Sequence, residues 1–295
     1  MKIIAAFENE LEIFGSSNCM QILAVTGIPG LGKSTLIKSF CKEHFDETLY
    51  FSPSSSSLSP NTFFATPNIR ITAESKYDKT DVCRILTSDD NKSIAVIFDD
   101  IQDIISDDGM KNLTVLIKSL LEGKIRLTHS EYSWEQKQIK LILISNTFDR
   151  SNLMRFYNSG FVMTADLRRR IDMSLKFEYH ADRYMDIIKA EIKRLDPIRS
   201  DEIITAVNWD LLTGIVNDIY NRFADQVDFP LCITPRHFVN YIITVYNAKI
   251  SEEKQLELIK SILVINRNTG RLQEEDILIL LCKNSKLNIF HLFKK

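Results

Sequence analysis

Two hydrophobic patterns alternate along the chain. Met20–Thr26, Ser93–Phe98, Lys140–Ser145 and Ser174–Tyr179 are short, almost unbroken apolar runs. A strand without a polar face is buried on both sides, which predicts a parallel sheet with helices on both faces. Thr48–Phe51 reads as a second strand in chain order, and Asn68–Thr72 adds another candidate. Between these runs, apolar residues recur at three- and four-residue spacing. That spacing predicts helices over Ile3–Phe14, from near Lys33 to His44, and over Lys79–Thr87, Asp108–Glu122 and Ser151–Phe161. The fourth is the best marked: Asp108 opens it, Leu113, Leu116, Ile117, Leu120 and Leu121 form its stripe, and Gly123 stops it.

Two stretches break the alternation. Ser52–Pro60 is serine- and proline-rich, too poor in apolar residues to bury, and reads as a mobile loop. Lys124–His129 and Gln136–Lys140 alternate with period two around a polar stretch containing Tyr132 and Trp134. They predict a β-hairpin inserted before the next core strand. From Ala181 onward the pattern is helical throughout: Ala181–Leu195, one or two helices over Ser200–Ala224, a helix from Thr234, and two more near Glu252–Val264 and Gln273–Lys283. A short basic tail, Phe293–Lys295, reads as a solvated end. Residues 1–180 are expected to form an α/β core and residues 181–295 a C-terminal α-helical lid.

The turn after the first strand carries candidate chemistry. Gly27, Gly32, Lys33 and Ser34 match G-x-x-x-x-G-K-[ST], the P-loop, in its strand–loop–helix setting. Glycines let loop N–H groups point inward at phosphate oxygens, and the following helix adds its N-terminal partial charge. The candidate phosphate-binding residues are Gly27, Ile28, Pro29, Gly30, Leu31, Gly32, Lys33, Ser34 and Thr35. Lys33 is expected to reach the β/γ-phosphates of a nucleoside triphosphate and Ser34 to help hold Mg²⁺.

A second motif closes the run Ser93–Phe98. Asp99 and Asp100 stand at its C-terminal end, where open α/β sheets bind ligands. Asp99 is expected to hold Mg²⁺ and Asp100 to polarise the attacking water. Asn146 ends the run Lys140–Ser145 and is a candidate for orienting that water. Arg168, Arg169 and Arg170 precede the last core strand, where an arginine can point from one subunit at a neighbour's γ-phosphate. Thr234 and Pro235 form an N-cap and first helical residue, which puts Arg236 in a first turn. A cation there opposes the helix dipole and suggests an anionic partner.

Composition changes little. The 37 basic and 39 acidic residues nearly balance, so global charge does not argue for nucleic acid. The five cysteines form no C-x-x-C pair, which suits free thiols in the cytoplasm or another reducing intracellular compartment. Neither a secretory leader nor a membrane span is expected.

The ordered set of Gly27–Ser34, Asp99-Asp100, Asn146, the arginines and Thr-Pro-Arg236 resembles the AAA+ ATPases, over nearly the whole chain. The resemblance implies a P-loop NTPase core with a helical lid, ATP and Mg²⁺ as ligands, and a homo-oligomeric ring or helical assembly, hexamer-like. It implies that Asn146 matches sensor 1, Arg236 sensor 2, and Arg170 the arginine finger, with Arg169 the runner-up. The hairpin is similar to the pre-sensor-1 hairpin of one branch. Leu-Arg-Arg-Arg-Ile and Thr-Pro-Arg look similar to MoxR-type ATPases, whereas Leu-Leu-Glu-Gly-Lys, Ile-Ser-Asn and Asp-Asp look similar to superfamily-3 viral helicases. Most members carry Asp-Glu where this chain has Asp99-Asp100. The implied work is remodelling or translocation of a macromolecule. Nucleic acid, as in replication or transposition, is slightly favoured by Lys124, Arg126, Lys137, Lys140, Tyr132 and Trp134 of the hairpin. A MoxR-type protein remodeller and a slow nucleotide-gated switch are the alternatives.

Overall fold

A computed structural model describes residues 2–27, 30–52, 59–68, 76–88, 90–101, 104, 107–127, 131–134, 137–146, 165–177, 180–223 and 234–248. The chain starts with α1 (Lys2–Ser16), β1 (Ile22–Gly27), α2 (Lys33–His44) and β2 (Glu47–Phe51). Next come α3 (Pro60–Phe64), β3 (Ala65–Asn68), β4 (Lys76–Lys79) and α4 (Asp81–Leu86). Then follow β5 (Ser93–Phe98), α5 (Asp107–Glu122), β6 (Lys124–Arg126), β7 (Glu131–Ser133) and β8 (Gln138–Ile144). The remaining described elements are α6 (Ala165–Arg169), β9 (Met173–Phe177), α7 (Ala181–Leu195), α8 (Ser200–Ala206), α9 (Trp209–Phe223) and α10 (Pro235–Ala248).

The unbroken apolar runs form one five-stranded sheet in the order β2-β5-β8-β1-β9. The pairs β2–β5, β5–β8 and β1–β8 are parallel. Burial on both faces is the reason those runs carry no alternation: Ile94–Phe98 and Leu141–Ile144 are each at most 1% exposed. On one face Ile94, Val96, Phe98, Leu141 and Leu143 join Leu113, Leu116, Ile117 and Leu120 of α5 in a single apolar cluster. The order matters for the site, because β8 lies between β1 and β5.

Two expected elements differ in detail. Beyond Asn68 the expected strand Asn68–Thr72 lies outside the described residues, and β3 (Ala65–Asn68) pairs with β4 in a separate antiparallel ribbon. The hairpin exists, but its second arm is the polar Glu131–Ser133, with Ile125 opposite Tyr132. Residues 138–140 instead begin the core strand, with Ser93 opposite Gln138. Trp134 sets this register. Its backbone N–H donates to the Gly123 carbonyl at 2.6 Å, its Nε1 donates to Leu120 at 3.3 Å, and its ring stacks on Phe64 at 5.3 Å. The expected helix at Ser151–Phe161, the tip of the Ser52–Pro60 loop (residues 53–58), and the helices and tail after residue 248 lie outside the described residues.

By contact density the chain divides into two units, Met1–Gly27 with Lys33–Lys176, and Ile28–Gly32 with Phe177–Lys295. In the second, α7 buries Tyr184, Met185, Ile188 and Ile192, and α10 buries Phe238, Tyr241, Ile242 and Val245. The Tyr184 and Phe238 rings meet edge to face at 6.1 Å. Among the described residues no helix is long and apolar enough to cross a membrane, and Cys19, Cys41 and Cys83 are free thiols. Burial pushes the Cys41 thiol up to about 12, so it behaves as an inert core residue.

Candidate functional site

Lys33 is the first residue of α2, yet its side chain is 7% exposed. Its ammonium turns back along the chain. Nζ donates to the Gly27 carbonyl at 2.8 Å and to Asn146 Oδ1 at 3.2 Å. The backbone is stitched at the same place: Gly27 N–H donates to the Asn146 carbonyl at 3.2 Å, and Ser145 N–H to Val25 at 2.9 Å. Two motifs more than a hundred residues apart in sequence thus share one hydrogen-bonded cluster, because β1 and β8 are parallel neighbours.

The loop backbone has the geometry that glycine permits. Gly30 and Gly32 have φ of +78° and +73°. Gly30 is constrained twice, since a Cβ there would lie 3.2 Å from both Pro235 Cδ and Thr234 Cβ. Gly30→Ala is therefore expected to lower stability by about 1–3 kcal/mol, read as a downward shift of the calorimetric melting. Leu31 is buried, Ser34 half-buried and Thr35 exposed. Ile28 and Pro29 lie outside the described residues.

The two carboxylates differ sharply. Asp99 is 2% exposed, whereas Asp100 is exposed and has φ of +53°. Both oxygens of Asp99 are held. Oδ1 accepts from Asp100 N–H at 2.9 Å, and Oδ2 accepts from the Tyr50 hydroxyl at 2.6 Å. Burial, then the Asp99 hydrogen bond and charge, push the Tyr50 phenol above its ordinary range, so it stays a donor. No motif marks Tyr50. The only sequence signal was its membership of a strand, and its role depends on β2 pairing with β5.

The donor set suits a hard divalent cation. Asp99 and Ser34 offer oxygen, the ligand type Mg²⁺ takes. Among the described residues no group of three His, Cys, Asp or Glu side chains comes together. Mg²⁺ needs no such cage, because it is usually bound by one or two protein groups with water and phosphate oxygens.

The remaining candidates have surroundings of their own. Arg168, Arg169 and Arg170 are all exposed. Arg170 Nε lies 3.6 Å from Asp166 Oδ1, and Lys118 holds the same carboxylate at 2.6 Å. Among the described residues Arg169 forms no ion pair, which makes it at least as accessible a cation as Arg170. Arg236 is exposed in the first turn of α10. That turn is capped in an unusual way: His237 Nδ1 accepts from Thr234 N–H at 3.0 Å, where a capping box has Glu or Gln. Burial, helped by the Arg236 charge, lowers the His237 pKa and favours the neutral ring, which has one nitrogen able to accept.

The hairpin side chains are less available than their sequence suggests. Lys124 and Arg126 are exposed. Lys137, by contrast, is 4% exposed at its side chain and is spent on Ser88 and Asp90. Lys140 is buried in β8 and donates to the Ser17 and Met20 carbonyls, fixing the turn into β1. Burial lowers its pKa. Trp134 is 4% exposed, so its ring is a core contact and not a stacking platform. No known family model matches the chain, and no curated protein matches it.

Proposed function

We propose that the chain is an ATP hydrolase of AAA+ type that binds ATP with Mg²⁺ and works as an oligomer on a macromolecule. One observation carries the reading. Lys33, Gly27 and Asn146 form one hydrogen-bonded cluster beside β8, and Asp99-Asp100 follow β5 on the other side of that strand. With strands about 4.8 Å apart, the end of β1 at Gly27 and the carboxylates after β5 are separated laterally by roughly 10 Å. That gap suits the phosphate end of a nucleotide and its cation.

In this reading the loop N–H groups and Lys33 hold the phosphates, and Ser34 and Asp99 hold Mg²⁺. The cation neutralises phosphate charge. Asp100, exposed beside the buried Asp99, takes a proton from the attacking water, and Asn146 orients that water. Arg236 and an arginine of the 168–170 run add positive charge, the latter to the site of a neighbouring copy. Free thiols at Cys19, Cys41 and Cys83 suit the cytoplasm or another reducing compartment.

The test is Mg²⁺-dependent ATP binding and hydrolysis over a concentration series of the purified chain. Turnover per subunit is expected to rise with protein concentration and to fall in Arg169→Ala and Arg170→Ala mixed with wild type. Turnover that is flat from dilute to concentrated protein overturns the inter-subunit arginine. For the client, nucleic acid retains only Lys124, Arg126 and the half-buried Tyr132 of its six supporting side chains. The burial of Trp134, Lys137 and Lys140 favours a protein client as the second reading. ATPase stimulation by DNA that fades as salt rises would restore the first.

A further inference from the structure

Tyr50 connects two elements that the nucleotide reading uses separately. β2 and β5 run parallel with Tyr50 opposite Ile97. Asp99 is two residues beyond Ile97, or about 6.6 Å further along the neighbouring strand, which matches the reach of a phenol. The hydroxyl arrives at Asp99 Oδ2 at 2.6 Å, the length of a charge-assisted O–H···O⁻ bond. With Oδ1 on the Asp100 N–H, the carboxylate plane is fixed at both oxygens. Each oxygen keeps a further lone pair.

The ring of the same tyrosine is held by α2. Lys38 Nζ lies 3.3 Å from its centroid. Lys38 is four residues after Ser34 and therefore on the same face of that helix. One side chain thus ties the helix carrying Ser34 to the strand carrying Asp99, the two residues expected to share the cation.

We propose that Tyr50 is a positioning residue for the divalent cation, holding Asp99 so that its outer lone pairs face the metal. This rests on the nucleotide reading of the site. Groups that orient metal ligands in this way typically contribute 10–100-fold to metal affinity. A phenylalanine keeps the ring and its Lys38 contact but cannot hold the carboxylate.

The experiment follows binding, not turnover, in the full chain. A fluorescent methylanthraniloyl-ATP is titrated in EDTA and at increasing Mg²⁺, and Mn²⁺ occupancy is read by electron paramagnetic resonance. Tyr50→Phe is expected to bind the analogue like wild type in EDTA and to need at least about 10-fold more Mg²⁺ or Mn²⁺. In an Asp99→Asn background, Tyr50→Phe should add nothing, because the group it positions is gone. Superimposed metal titrations for wild type and Tyr50→Phe would overturn the Tyr50 assignment and leave the nucleotide site standing. Equal weakening with and without metal would overturn it in favour of a general loss of structure. A wild-type chain that takes up neither nucleotide nor Mn²⁺ would overturn the nucleotide reading, and this proposal with it.

Discussion

Lys33→Met is expected to reduce ATP binding below detection by calorimetry at micromolar protein, and to lower turnover by at least about 10²–10³-fold. Lys33 is 7% exposed, and its ammonium is already oriented by Gly27 and Asn146. The Gly27 carbonyl and Asn146 Oδ1 are neutral oxygens that aim the ammonium. A preoriented charge in a water-poor site interacts more strongly than one in solvent and needs little reorganisation when phosphate arrives. Methionine fills a similar volume, but it leaves the Gly27 carbonyl and Asn146 Oδ1 without this donor. That loss costs about 1–3 kcal/mol if neither finds another, which a melting curve separates from lost binding. Lys33→Arg sharpens the test. It keeps the charge, but a planar fork cannot take the place of a compact ammonium in a buried position. If charge alone sufficed, Lys33→Arg would bind normally. If geometry matters as well, it will bind weakly. Wild-type affinity in Lys33→Met would remove the reading altogether.

The sheet and the loop were legible because their physics is local. An unbroken apolar run has few ways to hide other than a strand buried on both faces, as Ile94–Phe98 shows. The hairpin was legible only in outline. Glu131–Ser133 has no apolar alternation, and its pairing is imposed by Trp134 seated on Phe64 and bonded to Gly123 and Leu120. A tertiary anchor of that kind overrides local propensity. Lys140 misled for a related reason. Its charge suggested solvent, but it satisfies two carbonyls of the turn before β1, a partner set that sequence does not display. Tyr50 and the position of β8 were invisible because both follow from strand order, and an apolar run does not name its neighbours.

Asp100→Asn is expected to leave Mg²⁺-dependent ATP binding within about threefold of wild type while lowering turnover by about 10²–10⁴-fold, the range for loss of a positioned general base. The substitution is clean for a backbone reason. Asp100 has φ of +53°, a region that costs most side chains roughly 1–2 kcal/mol but that Asn and Asp tolerate best. Asparagine therefore keeps the backbone and the side-chain length while removing the charge and the proton-accepting carboxylate. The same geometry bears on the second position of the pair, where most members of the family in the proposed reading carry Glu. Glutamate lacks the short polar side chain that can hydrogen-bond locally in this region. Asp100→Glu should accordingly lower stability and fail to raise turnover, although it introduces an Asp-Glu pair. Single-turnover hydrolysis alongside equilibrium binding checks both variants. Asp100→Asn with wild-type single-turnover rates would move the base elsewhere. Asp100→Glu with a faster chemical step and an unchanged melting temperature would show that the aspartate is a brake on hydrolysis and not an accommodation to the backbone.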